Sequence, residues 1–158
     1  MPKQIINVRI NGQAQEVAVE PNWTLLETVR EALGFTGPKE GCGTGDCGAC
    51  SMLVDERLVT SCLMLAPQAD GKEITTIEGL ATNGTLHPIQ QAFIDTGGVQ
   101  CGFCTPGMIM ASKALLDSSP NPSLDEIQRG LAGNLCRCTG YTKIFEAVQL
   151  AARRMRSA

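Results

Sequence analysis

Residues 41–50, GCGTGDCGAC, restrict the fold of this chain more than any other stretch. They set Cys42, Cys47 and Cys50 at C-x4-C-x2-C spacing, and Cys62 follows after eleven intervening residues as a fourth thiol. Three thiols so close in sequence can face one small object only if the backbone coils tightly around it. Gly41, Gly43, Gly45 and Gly48 allow that coil, because glycine takes positive φ at little cost and has no Cβ to obstruct close approach. The spacing is the one that holds a plant-type [2Fe-2S] cluster. Such a coil also turns backbone N–H groups inward, where they favour the negative charge that arrives with an electron.

The chain has eight cysteines among 158 residues, and the other four are Cys101, Cys104, Cys136 and Cys138. The opening residues, MPKQIINVRI, carry neither the apolar core of a signal peptide nor a twin arginine, so the chain is expected in the cytoplasm. Thiols there stay reduced, and eight of them call for metal rather than disulfides. Four plus four suggests two sites. A net charge of -3 and a pI near 5.1 leave no basic stripe for nucleic acid or an anionic membrane. No apolar run approaches the roughly 20 residues of a bilayer span, while 43% hydrophobic residues are enough for a core.

The pattern of elements changes partway along. Residues 4–10 and 13–19 alternate as strands around Asn11-Gly12, a hairpin turn signal. Thr24 and Glu27 form a capping box for a helix that places Leu25, Val29 and Leu33 on one face and stops at Gly34. Short strands are expected at 51–54, 57–60 and 72–76. Strands with one helix across them over residues 1–77 describe a β-grasp outline. From about residue 84 the signals are helical, with helices expected at 88–95, 106–117, 124–131 and 141–156, the second of them central. The expected class is α+β, a β-grasp domain at 1–77 followed by a four-helix bundle at 84–158.

In the second cysteine set, Cys101-Gly102-Phe103-Cys104 precedes a helix with Thr105 as expected N-cap and Pro106 as first residue. Cys136-Arg137-Cys138 precedes the last helix in what reads as a repeat of the same arrangement. Two helix N-termini aimed at one centre would each favour added negative charge by roughly 0.3 to 1 kcal/mol. Phe103 is expected in the core, shielding the centre from water, and Met108 and Met110 are expected to pack rather than ligate. Lone His87 reads as an ordinary residue before Pro88.

GCGTGDCGAC with Cys62, QCGFCTPGMIM and NLCRCTGY together resemble the small iron-sulfur subunit of the molybdenum hydroxylases, over nearly the whole chain. That family includes xanthine dehydrogenases, aldehyde oxidoreductases, isoquinoline oxidoreductases and carbon monoxide dehydrogenases. The resemblance implies a plant-type ferredoxin domain and a helical domain, each with one [2Fe-2S] cluster. It also implies a large partner subunit with the molybdopterin cofactor and a medium one with FAD, with Gln100 and Cys138 in contact with the pterin. Catalysis is expected on those partners, since this chain has no nucleotide-binding glycine fingerprint.

Two other readings compete. A stand-alone ferredoxin shuttle would need only the first domain. A zinc-binding structural module would use the same eight thiols, but C-x4-C-x2-C with interspersed glycines is not a usual zinc ribbon, and C-x-C is a poor half of one.

Overall fold

The computed structural model describes residues 2–157. Five strands, β1 (Gln4–Ile10), β2 (Gln13–Val19), β3 (Ser51–Val54), β4 (Arg57–Thr60) and β5 (Glu73–Thr75), form one sheet in the order β2-β1-β5-β3-β4. Asn11 and Gly12 close the β1–β2 hairpin at φ 49° and 81°, the left-handed pair that a type I′ turn requires. β1 and β5 run parallel and the other pairs antiparallel, so the sheet is mixed. The last strand is shorter than its sequence suggests. Lys72 N–H turns back to the Ala69 carbonyl, leaving only its own carbonyl to accept from Arg9 N–H at 2.9 Å, and Thr76 N–H is taken by the Asn11 side chain, also at 2.9 Å.

Thr24 and Glu27 make the expected capping box, starting α1 (Leu25–Glu27), which widens at once into a π-helical turn over Thr28–Ala32. Thr28 donates its hydroxyl to the Thr24 carbonyl at 3.0 Å, and Leu33 N–H reaches the carbonyl of Thr28, five residues back. Leu25 and Val29 are buried against Ile6, Ile10, Val19 and Ile74, with half-buried Leu33 packed at the margin. This lays the helix across one face of the sheet.

The opposite face is covered too. All four residues of β3 are buried. Met52 and Val54 join the core under α1, whereas Leu53 points the other way, into the core of the helical half. That half contains α2 (Pro88–Asp95), α3 (Thr105–Ser118), α4 (Leu124–Gly130) and α5 (Thr142–Ser157). α3 is central, as its broad apolar surface implied, touching β3, β4, α2 and α4. Met108 and Met110 are fully buried packing residues. His87 is the N-cap of α2, its Nδ1 accepting from Ile89 N–H at 3.3 Å.

Candidate iron-sulfur centres

Residues 41–50 form an irregular coil in which Gly43, Gly45 and Gly48 all have positive φ. Gly41 is needed for a second reason, because a Cβ there would lie 2.7 Å from the Cys47 sulfur. The coil carries Cys42, exposed, and Cys47, half-buried, at its outer side. Cys50 and Cys62 lie beneath it, 2% and 9% exposed, packed with Leu26. Ser61 fixes this inner pair by donating its hydroxyl to the Cys50 carbonyl at 2.7 Å.

Backbone donors do turn inward. The N–H groups of Thr44 and Cys47 both reach the Cys42 sulfur at 3.4 Å. These contacts, led by Thr44, hold the Cys42 thiol down at about 6. Burial, with Cys50 alongside, pushes Cys62 up to about 11.

The second set gathers from two segments. The Cys101 and Cys138 sulfurs are exposed and 3.6 Å apart. Cys104 and Cys136 form a half-buried pair behind them. Burial, then the neighbouring Cys136 and Cys101, drive Cys104 up to about 12. Burial also acts to raise Cys136, but bonds led by the Thr139 hydroxyl, 3.2 Å from its sulfur, bring it to about 7.

In both sets, then, the donors stand two by two, an inner pair and an outer one. A cluster of two bridged irons takes two thiolates on each iron, and this donor set fits it. A tetrahedral zinc would draw four sulfurs around one point.

Three expectations change here. Cys104 itself, not Thr105, caps α3, so a candidate ligand occupies the positive end of a 14-residue helix. Cys138 is separated from α5 by Thr139, Gly140 and Tyr141, so the two cysteine pairs are not repeats of one arrangement. Phe103 is 48% exposed rather than in the core. It shares a cleft of about 400 Å³ with the four thiols, Leu135 and Tyr141. The C-x2-C segment runs over the surface before α3, and its aromatic side chain lies along the mouth of the site.

Gln100, beside Cys101, is exposed, as is Arg137. Two residues that the sequence did not single out are built into the centre. Tyr141 accepts the Cys136 N–H on its phenolic oxygen at 2.9 Å from a left-handed backbone, φ 68°, and stacks on Phe145. Asn134 spans the two centres, donating from Nδ2 to the Gly48 carbonyl at 2.9 Å. Next to it, Leu135 N–H donates to the Cys47 carbonyl, also at 2.9 Å.

A β-grasp half and a helical half, each offering four paired thiols, define a two-centre iron-sulfur protein. Known proteins agree. Residues 8–81 match the 2Fe-2S iron-sulfur cluster binding domain family, and residues 76–149 the [2Fe-2S] binding domain family. The nicotinate dehydrogenase small FeS subunit of Eubacterium barkeri is 51% identical over 154 residues, 98% of either chain. Quinoline 2-oxidoreductase from Pseudomonas putida 86 has a chain that superposes with a TM-score of 0.96 at 41% identity, covering 100% of this chain and 99% of that one. The aldehyde oxidoreductase of Desulfovibrio desulfuricans gives a TM-score of 0.93 at 39% identity, covering 99% of this chain but 17% of that longer one. The chain belongs to the family of small iron-sulfur subunits of the molybdenum hydroxylases and binds two [2Fe-2S] clusters. No helix among the described residues is long and apolar enough to cross a membrane.

Proposed function

We propose that this chain is the electron relay of a cytoplasmic molybdenum-containing hydroxylase or dehydrogenase. Its first unit, residues 1–77, holds one cluster on Cys42, Cys47, Cys50 and Cys62. Its second, residues 84–158, holds the other on Cys101, Cys104, Cys136 and Cys138. The clusters supply one-electron acceptance and release. Electrons enter at the second unit from a molybdopterin centre on a large partner subunit and leave from the first to FAD on a medium one.

The observation that carries this reading is the hydrogen bond between Leu135 N–H and the Cys47 carbonyl at 2.9 Å. Leu135 precedes Cys136, so a short run of covalent bonds with one hydrogen bond joins a candidate ligand of each set. Two centres fused through such a contact act in series, which a shuttle with one cluster does not need. The outer surfaces support the same order. Exposed Phe103 and Leu135 flank the second set, an apolar mouth suited to a partner rather than to water. Exposed Gln100 and Cys138 are there for the pterin to contact. At the first set, the exposed coil around Cys42 has few apolar side chains and suits a looser contact with the flavin subunit.

In the assembled complex, Gln100→Ala is expected to slow electron entry from substrate and leave dithionite reduction of the first cluster unchanged. Rapid-mixing spectra that instead show normal substrate reduction of the second cluster and slow reoxidation by flavin would reverse the order.

A further inference from the structure

The carbonyl of Gly48, between Cys47 and Cys50, accepts the Ser51 N–H at 3.1 Å and is otherwise enclosed by residues of the helical half. Asn134, 5% exposed, donates to it from Nδ2 at 2.9 Å and to Ser51 Oγ at 3.2 Å. A Cβ on Gly107, in the first turn of α3, would overlap the same carbonyl oxygen. A Cβ on Gly48, whose φ is +67°, would overlap both Asn134 Nδ2 and the Gly133 carbonyl. Gly48 thus leaves room for the carboxamide of Asn134, and Gly107 lets α3 approach the same carbonyl of the cysteine coil.

We propose that Asn134 is a positioning residue for the N-terminal cluster, acting across the seam between the two halves, although it is only two residues from Cys136. The inference rests on the reading that Cys42, Cys47, Cys50 and Cys62 hold that cluster. Donation to a carbonyl polarises its peptide and strengthens the N–H at the other end as a donor, and the effect grows where water is excluded. Here that N–H belongs to Ala49, in the middle of the C-x2-C segment. Ala49 is 4% exposed, and its carbonyl is already committed to Lys39 N–H at 3.0 Å. Asn134 therefore fixes the shape of the coil and increases the positive potential inside it, which favours the reduced cluster.

The test is an EPR-monitored redox titration of the whole complex carrying Asn134→Ala, with amide hydrogen exchange across residues 47–51 as a second readout. The N-terminal midpoint is expected to fall, shifting its reduction equilibrium threefold to tenfold, about 30 to 60 mV for a one-electron couple. The C-terminal midpoint stays in place. Exchange at Ala49 and Ser51 rises. Ser51→Ala, which keeps the bond to Gly48, leaves both midpoints where they were. Should Asn134→Ala fail to assemble, Asn134→Ser serves, since its hydroxyl is too short to reach Gly48 and the same shift is expected. Unchanged midpoints, a shift confined to the C-terminal cluster, or full reproduction of the effect by Ser51→Ala would overturn the proposal. Wild-type complex lacking an N-terminal EPR signal would instead defeat the ligand reading beneath it.

Discussion

The two iron-sulfur centres reach the same arrangement of donors by different routes. In the N-terminal one, three of the four candidate ligands, Cys42, Cys47 and Cys50, lie on one coil with Gly43, Gly45 and Gly48 at positive φ, and the fourth, Cys62, follows the β3–β4 hairpin. The C-terminal one draws its candidate ligands from two segments, Cys101 and Cys104 from one and Cys136 and Cys138 from another more than thirty residues away, and side chains brace the second segment. Tyr141 takes the Cys136 N–H and the Thr139 hydroxyl reaches the Cys136 sulfur, while Cys104 stands at the N-cap position of α3. A local coil gathers three of its four donors by short-range geometry. A site assembled from distant segments depends on the bundle being packed first.

The largest effect that would break this comparison is loss of a ligand. Cys47→Ser is expected to abolish the N-terminal EPR signal and leave the C-terminal one, with Cys104→Ser doing the reverse. Disappearance of both signals in either variant would show that the sites do not form independently.

Next comes the seam. Replacing Gly107 by Ala improves helix propensity by about 1 kcal/mol, but the new methyl overlaps the Gly48 carbonyl, a backbone atom that cannot swing aside. Overpacking of this kind costs about 1 to 3 kcal/mol, so the variant is expected to be less stable on balance. Thermal unfolding that shows stabilisation would mean that the two halves part easily.

A smaller contrast lies in thiol chemistry before metal is loaded. With Cys42 held at about 6 and Cys104 pushed up to about 12, Cys42 is thiolate and Cys104 thiol at pH 7.5. Only the thiolate alkylates, so in metal-free chain pulse labelling at pH 7.5 is expected to modify Cys42 more than about tenfold faster than Cys104. Below pH 6 the Cys42 rate falls as the sulfur protonates, while the Cys104 rate still climbs above pH 10. Equal rates at pH 7.5 would remove the distinction between the hydrogen-bonded Cys42 sulfur and the desolvated Cys104 sulfur.

The smallest effect is expected from Tyr141→Phe. It keeps the ring stacked on Phe145 and deletes one hydrogen bond, at a cost of about 0.5 to 1.5 kcal/mol. The C-terminal EPR signal should shift slightly and the N-terminal one not at all. A shift at the N-terminal signal would contradict the side-chain bracing described for the second centre.

The unequal legibility of the two centres in the sequence has the same origin. The coil, the β1–β2 hairpin and the capping box of α1 were readable because each is settled within a few residues. The helices of the second half were placed within a residue or so at each end by periodicity and caps. Phe103 was misplaced because its exposure depends on where the C-x2-C segment crosses the surface, and Thr105 lost the N-cap to Cys104 because the helix begins one residue earlier. Asn134 and Tyr141 gave no local signal. Their roles exist only once α3 has packed on β3 and brought residues 133–135 against the coil.

The order of the relay is tested most directly by freeze-quench EPR of the complete complex after mixing with its reducing substrate, with the two signals assigned from the Cys47→Ser and Cys104→Ser variants. The C-terminal cluster is expected to become reduced first and the N-terminal one to follow. Appearance of the N-terminal signal first would contradict the account.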